Sequence, residues 1–176
     1  FVSYHQDAKY IGLEPHNWVT AWVAITDSNE NNGCMRMWSG SHKDDLKEHK
    51  QMFNKGNLLT RGQTVNNVPK EKTIPLILEA GQMSLHHPKV VHGSDLNKSD
   101  DRRIGFVVQS YIGSNVKQVL GGNSVQVARG KDDFNFHEKI LRTKSLMNKN
   151  DIKLKKQEND YLQKIFYNGS SKKGSY

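Results

Sequence analysis

The sequence predicts a mainly β domain, a sandwich or barrel of short strands that is followed by one C-terminal helix. Short runs rich in β-branched and aromatic residues alternate with loops rich in Gly, Asn, Asp and Ser, as in all-β domains. A parallel α/β sheet would need a helix after each strand, and these runs are not separated in that way. Apolar residues take up helical spacing near the C-terminus, in residues 151–167.

The first part of the chain predicts three strands. Residues 1–7 (FVSYHQD) resemble the middle of a strand, so we expect an N-terminal portion of the parent protein to precede them. Residues 19–26 alternate and contain β-branched and aromatic side chains, which predicts the second strand. After the polar loop 27–33, residues 34–38 predict the third strand.

The middle of the chain predicts one helix and one strand. Residues 43–53 are compatible with a short helix, and residues 54–72 form a long polar segment that we predict to be a lid. Residues 74–78 predict a strand although they include Pro75, because proline is accepted at a strand start or on an edge strand.

Three more strands and a helix are predicted in the second half of the chain. Residues 82–87 and 90–92 predict strands on either side of Pro88. Residues 104–112 (IGFVVQSYI) give the strongest strand pattern in the sequence. Residues 151–167 then predict a helix with a loose apolar stripe, which we expect to pack on the β domain or on a partner.

The positive charge is concentrated at the C-terminal end. The net charge is +8, and residues 144–176 contribute eight lysines against three acidic residues. A nucleic-acid-binding domain would carry its basic surface on the folded body, so we expect no nucleic-acid partner. We therefore divide the sequence into a core, residues 1–143, and a basic helical tail, residues 144–176.

Cysteine content and hydropathy restrict the compartment. The single cysteine, Cys34, excludes a disulfide within the chain, which favours a reducing compartment, the cytoplasm. The sequence has no run of about 18 or more apolar residues, so we predict no membrane-spanning segment. Neither observation predicts an oligomeric state.

Two histidines and one aspartate are candidate metal ligands. His5 and Asp7 are two residues apart, and such residues point to the same face of a strand. His-x-Asp also occurs by chance in surface pairs, but His92 supplies a second imidazole after a short strand. Two imidazoles and a carboxylate form the facial triad of non-haem iron(II), which leaves ligand positions open. A structural zinc site would use four protein ligands, mostly Cys and His, and the chain has one cysteine.

Arg103 is the candidate partner of an anionic ligand. It precedes the strand 104–112, and a guanidinium group can bind a buried carboxylate with two parallel hydrogen bonds. An ordinary surface arginine is the alternative. If Arg103 points inward, strand alternation places Gly105, Val107 and Gln109 inward as well. Gly105 would then leave room in the pocket, and Gln109 could reach a substrate.

Four stretches of sequence carry a resemblance to a known family: HQDAKYIGLEP, VTAWVAITDSNENNGCMRMWSGSHK, AGQMSLHHPKVVHGSDLNKSDDRRIGF and VQVARGKDDF. Together they span roughly residues 4–135, and they resemble the phytanoyl-CoA dioxygenase family of iron(II)- and 2-oxoglutarate-dependent oxygenases. The chain looks more similar to small bacterial members of unassigned substrate than to the peroxisomal acyl-CoA enzymes. The resemblance implies a double-stranded β-helix, a jelly-roll or cupin-like fold, whose N-terminal strands this chain lacks.

The resemblance implies an enzyme that consumes O2 and 2-oxoglutarate. His5, Asp7 and His92 match the iron ligands, and Arg103 matches the arginine that pairs with the distal carboxylate of 2-oxoglutarate. The implied reaction hydroxylates a small organic metabolite while 2-oxoglutarate is decarboxylated to succinate and CO2. Related halogenases replace the carboxylate ligand by Ala or Gly, so Asp7 favours hydroxylation.

Four other residues are assigned to the pocket. The resemblance matches Ser94 to a hydroxyl beside the arginine and Trp22 to a tryptophan that lines the cosubstrate site. Gln109 is expected to contact the substrate from its strand, and Tyr10 is expected at the substrate entrance. The expected partner is therefore a small-molecule substrate.

The remaining histidines are less specific. His86 and His87 are adjacent, and adjacent residues of a strand point to opposite faces, so one of them could face the cavity. A structural role is the simpler interpretation of both, and a ligand role is the minor alternative. His16 and His49 are expected at the surface.

Two functions of other classes are compatible with the sequence. A cupin-type jelly roll could bind a metal or a sugar without any redox reaction, and it would not depend on Arg103. An interaction module could instead use the basic C-terminal helix, and its function would depend on residues 144–176 and not on the three candidate ligands.

Overall fold

The computed structural model describes residues 1–59, 62–141, 145 and 147–170. In these stretches the chain forms antiparallel sheets of four and three strands, further two-stranded ladders and one α-helix. This confirms the mainly β fold class that the sequence predicts, with the helix at the C-terminal end.

The secondary-structure elements are short. The α-helix, α1, is Lys149–Phe166. Three single-turn 3-10 helices are Asp7–Lys9, Ser41–Lys43 and Lys70–Lys72. The strands β1 to β13, in chain order, are Val2–His5, Leu13–Glu14, Trp18–Ala24, Met35–Trp38, His49–Gln51, Gln63–Val65, Thr73–Pro75, Met83–His86, His92–Ser94, Gly105–Ile112, Lys117–Gln118, Ser124–Val125 and Glu138–Lys139.

The two main sheets are antiparallel throughout and meet at their inner faces. The four-stranded sheet has the order β1-β9-β4-β7, and the three-stranded sheet has the order β10-β3-β8. Thr20 of β3 contacts Asp7 beside β1, and the His86 ring of β8 lies against His92 of β9. Two facing antiparallel sheets with crossed connections form the double-stranded β-helix, or jelly roll, that the family resemblance implies.

The apolar core lies beside the start of β3. Ile11, Leu13, Trp18 and Val116 form a buried cluster, and Phe166 of α1 packs against it. The Trp18 indole N–H donates to the Leu13 carbonyl at 3.1 Å, so the one polar group of this side chain is satisfied inside the core. Burial of side chains of this size stabilises the fold by about 1.5–3 kcal/mol each.

The helix α1 begins where Asn148 caps it. The Asn148 side chain accepts a hydrogen bond from the Asp151 amide at 2.9 Å, which is the usual N-cap interaction. The helix is anchored by Ile165, which is buried, and the predicted C-terminal helix is confirmed.

In the part of the chain that is described, no helix combines the length and apolarity needed to cross a membrane. The division at residue 143 stays a prediction.

The predicted helix over residues 43–53 is wrong. This segment contains the end of a 3-10 turn and the strand β5, which pairs with β6. In a helix, the Lys47 amide would bond to the carbonyl four residues earlier. It donates instead to the buried Gln6 side chain at 2.8 Å, so a tertiary contact overrides local helix propensity.

The long polar segment 54–72 is more ordered than its composition indicates. Gln63–Val65 forms β6, and Lys70–Lys72 forms a 3-10 turn directly before β7. Residues 60–61 lie outside the described residues. The lid role of the segment stays a prediction.

The strand predicted over residues 90–92 is displaced toward the C-terminus. The Val90 amide donates to the His87 carbonyl at 2.9 Å within a turn. The Val91 amide donates to the Ser41 hydroxyl at 2.9 Å. Because both amides already have partners, the β9 ladder begins only at His92.

Candidate metal centre

Three buried side chains converge where the two sheets meet. His5 ends β1, Asp7 begins the first 3-10 turn, and His92 begins β9. One ligand atom from each lies within 4.8 Å of the other two. The Nε2 atoms of His5 and His92 are 3.5 Å and 3.9 Å from Oδ1 of Asp7. The fold thus brings together the three residues that the sequence predicts as metal ligands.

The local reason for this convergence differs from the prediction. His5 and Asp7 were expected to share a strand face, but β1 ends at His5 and Asp7 lies in a 3-10 turn. The turn is fixed by the Ala8 amide, which donates to the Pro88 carbonyl at 3.0 Å. The imidazoles meet because His5 is the cross-strand partner of His92, and the two ring centroids are 4.3 Å apart.

Backbone carbonyls fix the orientation of both imidazoles. Nδ1 of His5 lies 2.7 Å from the Ser3 carbonyl, and Nδ1 of His92 lies 3.0 Å from the Val90 carbonyl. A carbonyl oxygen can only accept, so Nδ1 carries the hydrogen in each ring. In the neutral form of each ring, Nε2 is then the unprotonated nitrogen, and it lies toward the Asp7 carboxylate. Metal-binding histidines are commonly held by such a hydrogen bond from the second ring nitrogen.

Burial determines the charge state of the cluster. Burial, reinforced by the nearby His5, lowers the pKa of His92 to about 3, so this imidazole is neutral at physiological pH. Burial alone would raise the pKa of Asp7, but interactions with His5 and His92 outweigh it and hold the pKa below its usual range. With both rings in the neutral form that metal ligands take, the cluster directs a carboxylate charge and two nitrogen lone pairs into one buried space.

A divalent cation fits this donor set. Electron-rich atoms that face one another away from water are unfavourable unless a positive charge lies between them. Two nitrogen donors and one oxygen donor suit a first-row transition metal, and three protein ligands leave further positions for other ligands. The residues present therefore satisfy the chemistry of the metal that the sequence analysis predicts.

Two hydroxyl groups hold the Asp7 carboxylate. Thr20 donates to Oδ2 at 3.2 Å, and Tyr10 donates to Oδ1 at 3.3 Å. The Tyr10 ring also lies 5.8 Å from the His5 ring. The substrate contact predicted for Tyr10 stays a prediction, and the structure adds a contact with the metal cluster. The sequence analysis did not single out Thr20, although its alternation along β3 places it on the same face as Trp22.

Gln6 anchors the short stretch of backbone that connects His5 to Asp7. Its side chain is fully buried, donates to the Lys89 carbonyl at 2.6 Å and accepts from the Lys47 amide at 2.8 Å. Its own amide donates to Nε2 of His49 at 3.1 Å. His49 is half-buried and not fully at the surface as expected, and this burial lowers its pKa to about 4. The sequence analysis missed Gln6 because its partners are distant in sequence.

Replacing Gln6 by alanine should destabilise the protein by about 2–4 kcal/mol, because it leaves a cavity and removes the partners of two partly buried backbone groups. Urea unfolding of the metal-free protein measures this loss. Gln126→Ala, at an exposed position, is the matched control. If Gln6→Ala unfolds at the same urea concentration as the control, the anchoring role assigned to Gln6 is wrong.

Arg103 and Trp22 form a stacked pair. The Arg103 guanidinium lies 5.5 Å from the centroid of the Trp22 ring, and its buried Nε has no hydrogen-bond partner among the described residues. Burial lowers the pKa of Arg103, and no ion pair joins it to any residue in the described part of the chain. A half-buried cation of this kind can bind a carboxylate ligand.

A Cβ atom at Gly105 would collide with the Trp22 indole, so the room expected at Gly105 is filled by this ring.

The other predicted pocket residues differ in their placement. Ser94 is buried at the end of β9, two residues beyond His92. Gln109 is exposed, and the register shifts between Val108 and Tyr111. Gln109 lies inside this bulge, where strand alternation no longer sets the direction of the side chain. The roles of Ser94 and Gln109 stay predictions.

Of the two adjacent histidines, His86 is the one that faces the interior. Its ring centroid lies 5.0 Å from that of His92, and its buried Nδ1 has no hydrogen-bond partner among the described residues. His87 lies on the other side, where its ring centroid is 5.7 Å from that of His42 and its Nδ1 accepts from the Lys89 amide.

The chain is similar to proteins of a known family. The sequence model of the family Phytanoyl-CoA dioxygenase (PhyH) matches residues 2–105. The chain is 30% identical over 130 residues to the mouse (Mus musculus) protein Phytanoyl-CoA dioxygenase, peroxisomal, a match covering 71% of this chain and 38% of that protein. The chain therefore spans little more than a third of the mouse relative.

Two solved structures are similar to the fold of this chain. The apo form of ThoJ, a non-heme monooxygenase, is 28% identical with a TM-score of 0.80 and covers 94% of this chain and 60% of its own. The epimerase SnoN in complex with Fe3+, alpha ketoglutarate and nogalamycin RO is 21% identical with a TM-score of 0.53. That match covers 66% of this chain and 44% of the SnoN chain, and at this identity it shows the fold alone.

Proposed function

The chain belongs to the phytanoyl-CoA dioxygenase family, and we propose that it carries the catalytic centre of an iron(II)- and 2-oxoglutarate-dependent dioxygenase that hydroxylates a small organic metabolite. The observation that supports this most is the buried convergence of His5, Asp7 and His92 within 4.8 Å. The lone pairs and the carboxylate charge of this cluster call for a metal ion, and three protein ligands leave positions for cosubstrate and dioxygen.

Each residue of the site has a separate task in this proposal. His5, Asp7 and His92 hold the iron, and Arg103 binds the distal carboxylate of 2-oxoglutarate. The bound metal supplies the activation of O2, in which 2-oxoglutarate is decarboxylated to succinate and CO2 as the substrate is hydroxylated. Ser94, which is buried at the end of β9, contributes a hydroxyl beside Arg103 in this proposal.

The surrounding residues keep the site ready for these ligands. Thr20 and Tyr10 hold both oxygens of Asp7, so the carboxylate does not need to reorganise when the metal binds. The Trp22 indole covers one face of the Arg103 guanidinium and limits its hydration. The cation therefore remains available to a carboxylate in a partly dehydrated site, where their attraction is stronger than in water.

The relatives support the reaction class and leave the substrate open. ThoJ, the similar structure at 28% identity, is a non-heme monooxygenase, and the mouse relative is a phytanoyl-CoA dioxygenase. The carboxylate of Asp7 takes a ligand position that a halide would otherwise need, which supports hydroxylation. Substrate identity does not follow from fold, because the same jelly roll serves many reactions.

The proposal is tested by cosubstrate turnover. Under anaerobic conditions, Fe(II) and 2-oxoglutarate should together give the protein a weak visible charge-transfer band, and admission of air should produce succinate. Protein loaded with redox-inactive Zn(II) is the control and should give neither. If the Fe(II) protein binds metal but shows no band and no succinate, the redox proposal is wrong and the non-redox cupin alternative is favoured.

A further inference from the structure

Polar atoms without partners lie along the inner face of β8. Oγ of Ser84 and Nδ1 of His86 are both buried, and neither has a hydrogen-bond partner among the described residues. The two residues are two positions apart on β8, so their side chains point to the same face. Met83 and Leu85, which alternate with them, are 58% and 62% exposed on the opposite face.

The strand register places His86 level with the metal cluster and Ser84 level with the Trp22–Arg103 pair. His86 is the cross-strand partner of Thr20, and Ser84 is the partner of Trp22. Thr20 donates to Asp7 of the metal cluster, while Trp22 stacks on Arg103. The two rows are separated by two residues of strand, roughly 6.6 Å. A ligand that reaches from the metal cluster to Arg103 therefore spans the same two rows as His86 and Ser84.

The chemistry of the two side chains suits an oxygen-rich ligand. A hydroxyl and an imidazole can each donate one hydrogen bond, and carboxylate and keto oxygens accept them. Buried polar groups nearly always have hydrogen-bond partners in folded proteins. The buried Ser84 hydroxyl and His86 Nδ1 are therefore candidate contacts for a bound ligand. Nε of Arg103 is a third buried donor that has no hydrogen-bond partner among the described residues.

We propose that Ser84 and His86 form a polar wall of the cosubstrate pocket and donate hydrogen bonds to an α-keto dicarboxylate held between the metal cluster and Arg103. This inference rests on the proposed function, because it requires that such a cosubstrate binds there. It assigns cosubstrate contacts to β8, whereas the sequence resemblance assigns them to Trp22, Ser94 and Arg103.

The test measures cosubstrate binding in the absence of oxygen. Fe(II)-loaded protein is titrated with 2-oxoglutarate, and the dissociation constant is read from the charge-transfer band and by calorimetry. Ser84→Ala and His86→Phe should each raise the dissociation constant about tenfold, as expected for a lost hydrogen bond to a charged ligand. His86→Gln should recover part of the affinity because it retains a donor. Leu85→Ala, which lies between the two residues on the opposite face, is the matched control.

Three outcomes contradict different claims. If the wild-type protein binds iron but no 2-oxoglutarate, the proposed function itself fails. If the wild-type protein binds 2-oxoglutarate and the Ser84→Ala and His86→Phe variants bind it as tightly as Leu85→Ala, only the wall is disproved. Iron affinity is measured separately, and a His86→Phe variant that loses iron affinity while keeping its 2-oxoglutarate affinity at saturating iron also overturns the assignment to His86.

Discussion

Replacing Asp7 by alanine is expected to abolish stoichiometric iron binding and, with it, all 2-oxoglutarate turnover. Changes to residues that only support a metal ligand typically lower metal affinity by about 10–100-fold, so loss of the carboxylate ligand should cost at least about 100-fold. The two imidazoles that remain provide no negative charge to balance a divalent cation. Anaerobic titration with Fe(II) and 2-oxoglutarate, followed by the charge-transfer band, measures the effect.

The control for this experiment is Asp133→Ala, which removes an exposed carboxylate and should leave iron binding unchanged. Unfolding in urea of the metal-free Asp7→Ala protein shows whether the variant is folded. We expect it to be folded but less stable than the wild-type protein without metal, because the interactions that lower the pKa of Asp7 also stabilise the folded state, and the hydrogen bonds from Thr20 and Tyr10 are lost. A folded Asp7→Ala protein with a normal charge-transfer band would show that the ligand set is wrong.

Replacing Arg103 by methionine should raise the dissociation constant of 2-oxoglutarate roughly 10–100-fold, because a charge-assisted hydrogen bond contributes about 1.5–3 kcal/mol and 1.4 kcal/mol corresponds to tenfold. Methionine keeps an unbranched side chain that can still cover the Trp22 ring. Anaerobic binding of 2-oxoglutarate to the iron-loaded protein is again the measurement.

The neighbouring arginine provides a matched control for Arg103. Arg102 is exposed, so Arg102→Met removes the same charge from the chain without touching the Trp22 pair. Pyruvate separates binding at the metal from binding at Arg103, since it keeps the keto acid and lacks the distal carboxylate. Arg103→Met should leave pyruvate binding unchanged. If Arg103→Met and Arg102→Met bind 2-oxoglutarate equally well, Arg103 is not the carboxylate partner.

The sequence predicts which residues form the cluster better than it predicts how they come together. His5, Asp7 and His92 are the only group of three metal-capable side chains found together in the described part of the chain. The strand alternation invoked for Asp7 is wrong, because a 3-10 turn places the carboxylate and the β1–β9 register places the imidazoles. Residue type and spacing can thus indicate ligands even where the local geometry differs.

Residues that act through distant partners could not be predicted from the sequence. Gln6 binds the backbone at Lys47 and Lys89, and neither contact leaves a pattern in the chain around residue 6. The same contact explains why residues around Lys47 are not helical. Ser84 and His86 gain their position only from their register with β3, which a single strand pattern cannot specify.

Local irregularity limits the prediction of strand faces. The alternation that was extended from Arg103 to Gln109 assumes an unbroken strand. Ser110 adopts a φ of 73°, in the left-handed region that side chains other than glycine rarely occupy, and the ladder shifts its register there. A bulge of this kind has no reliable sequence signature when no glycine marks it.

The packing of α1 restricts how the role of the basic C-terminal segment can be examined. Ile165 is buried, and Phe166 covers the cluster that contains Trp18, so removing residues 144–176 would strip side chains from the hydrophobic interior. Loss of function in such a truncated protein would then report unfolding as readily as a lost partner. Charge-reversing substitutions at Lys153 and Lys156, which are exposed on the same helix, change the electrostatic surface and leave the interior intact.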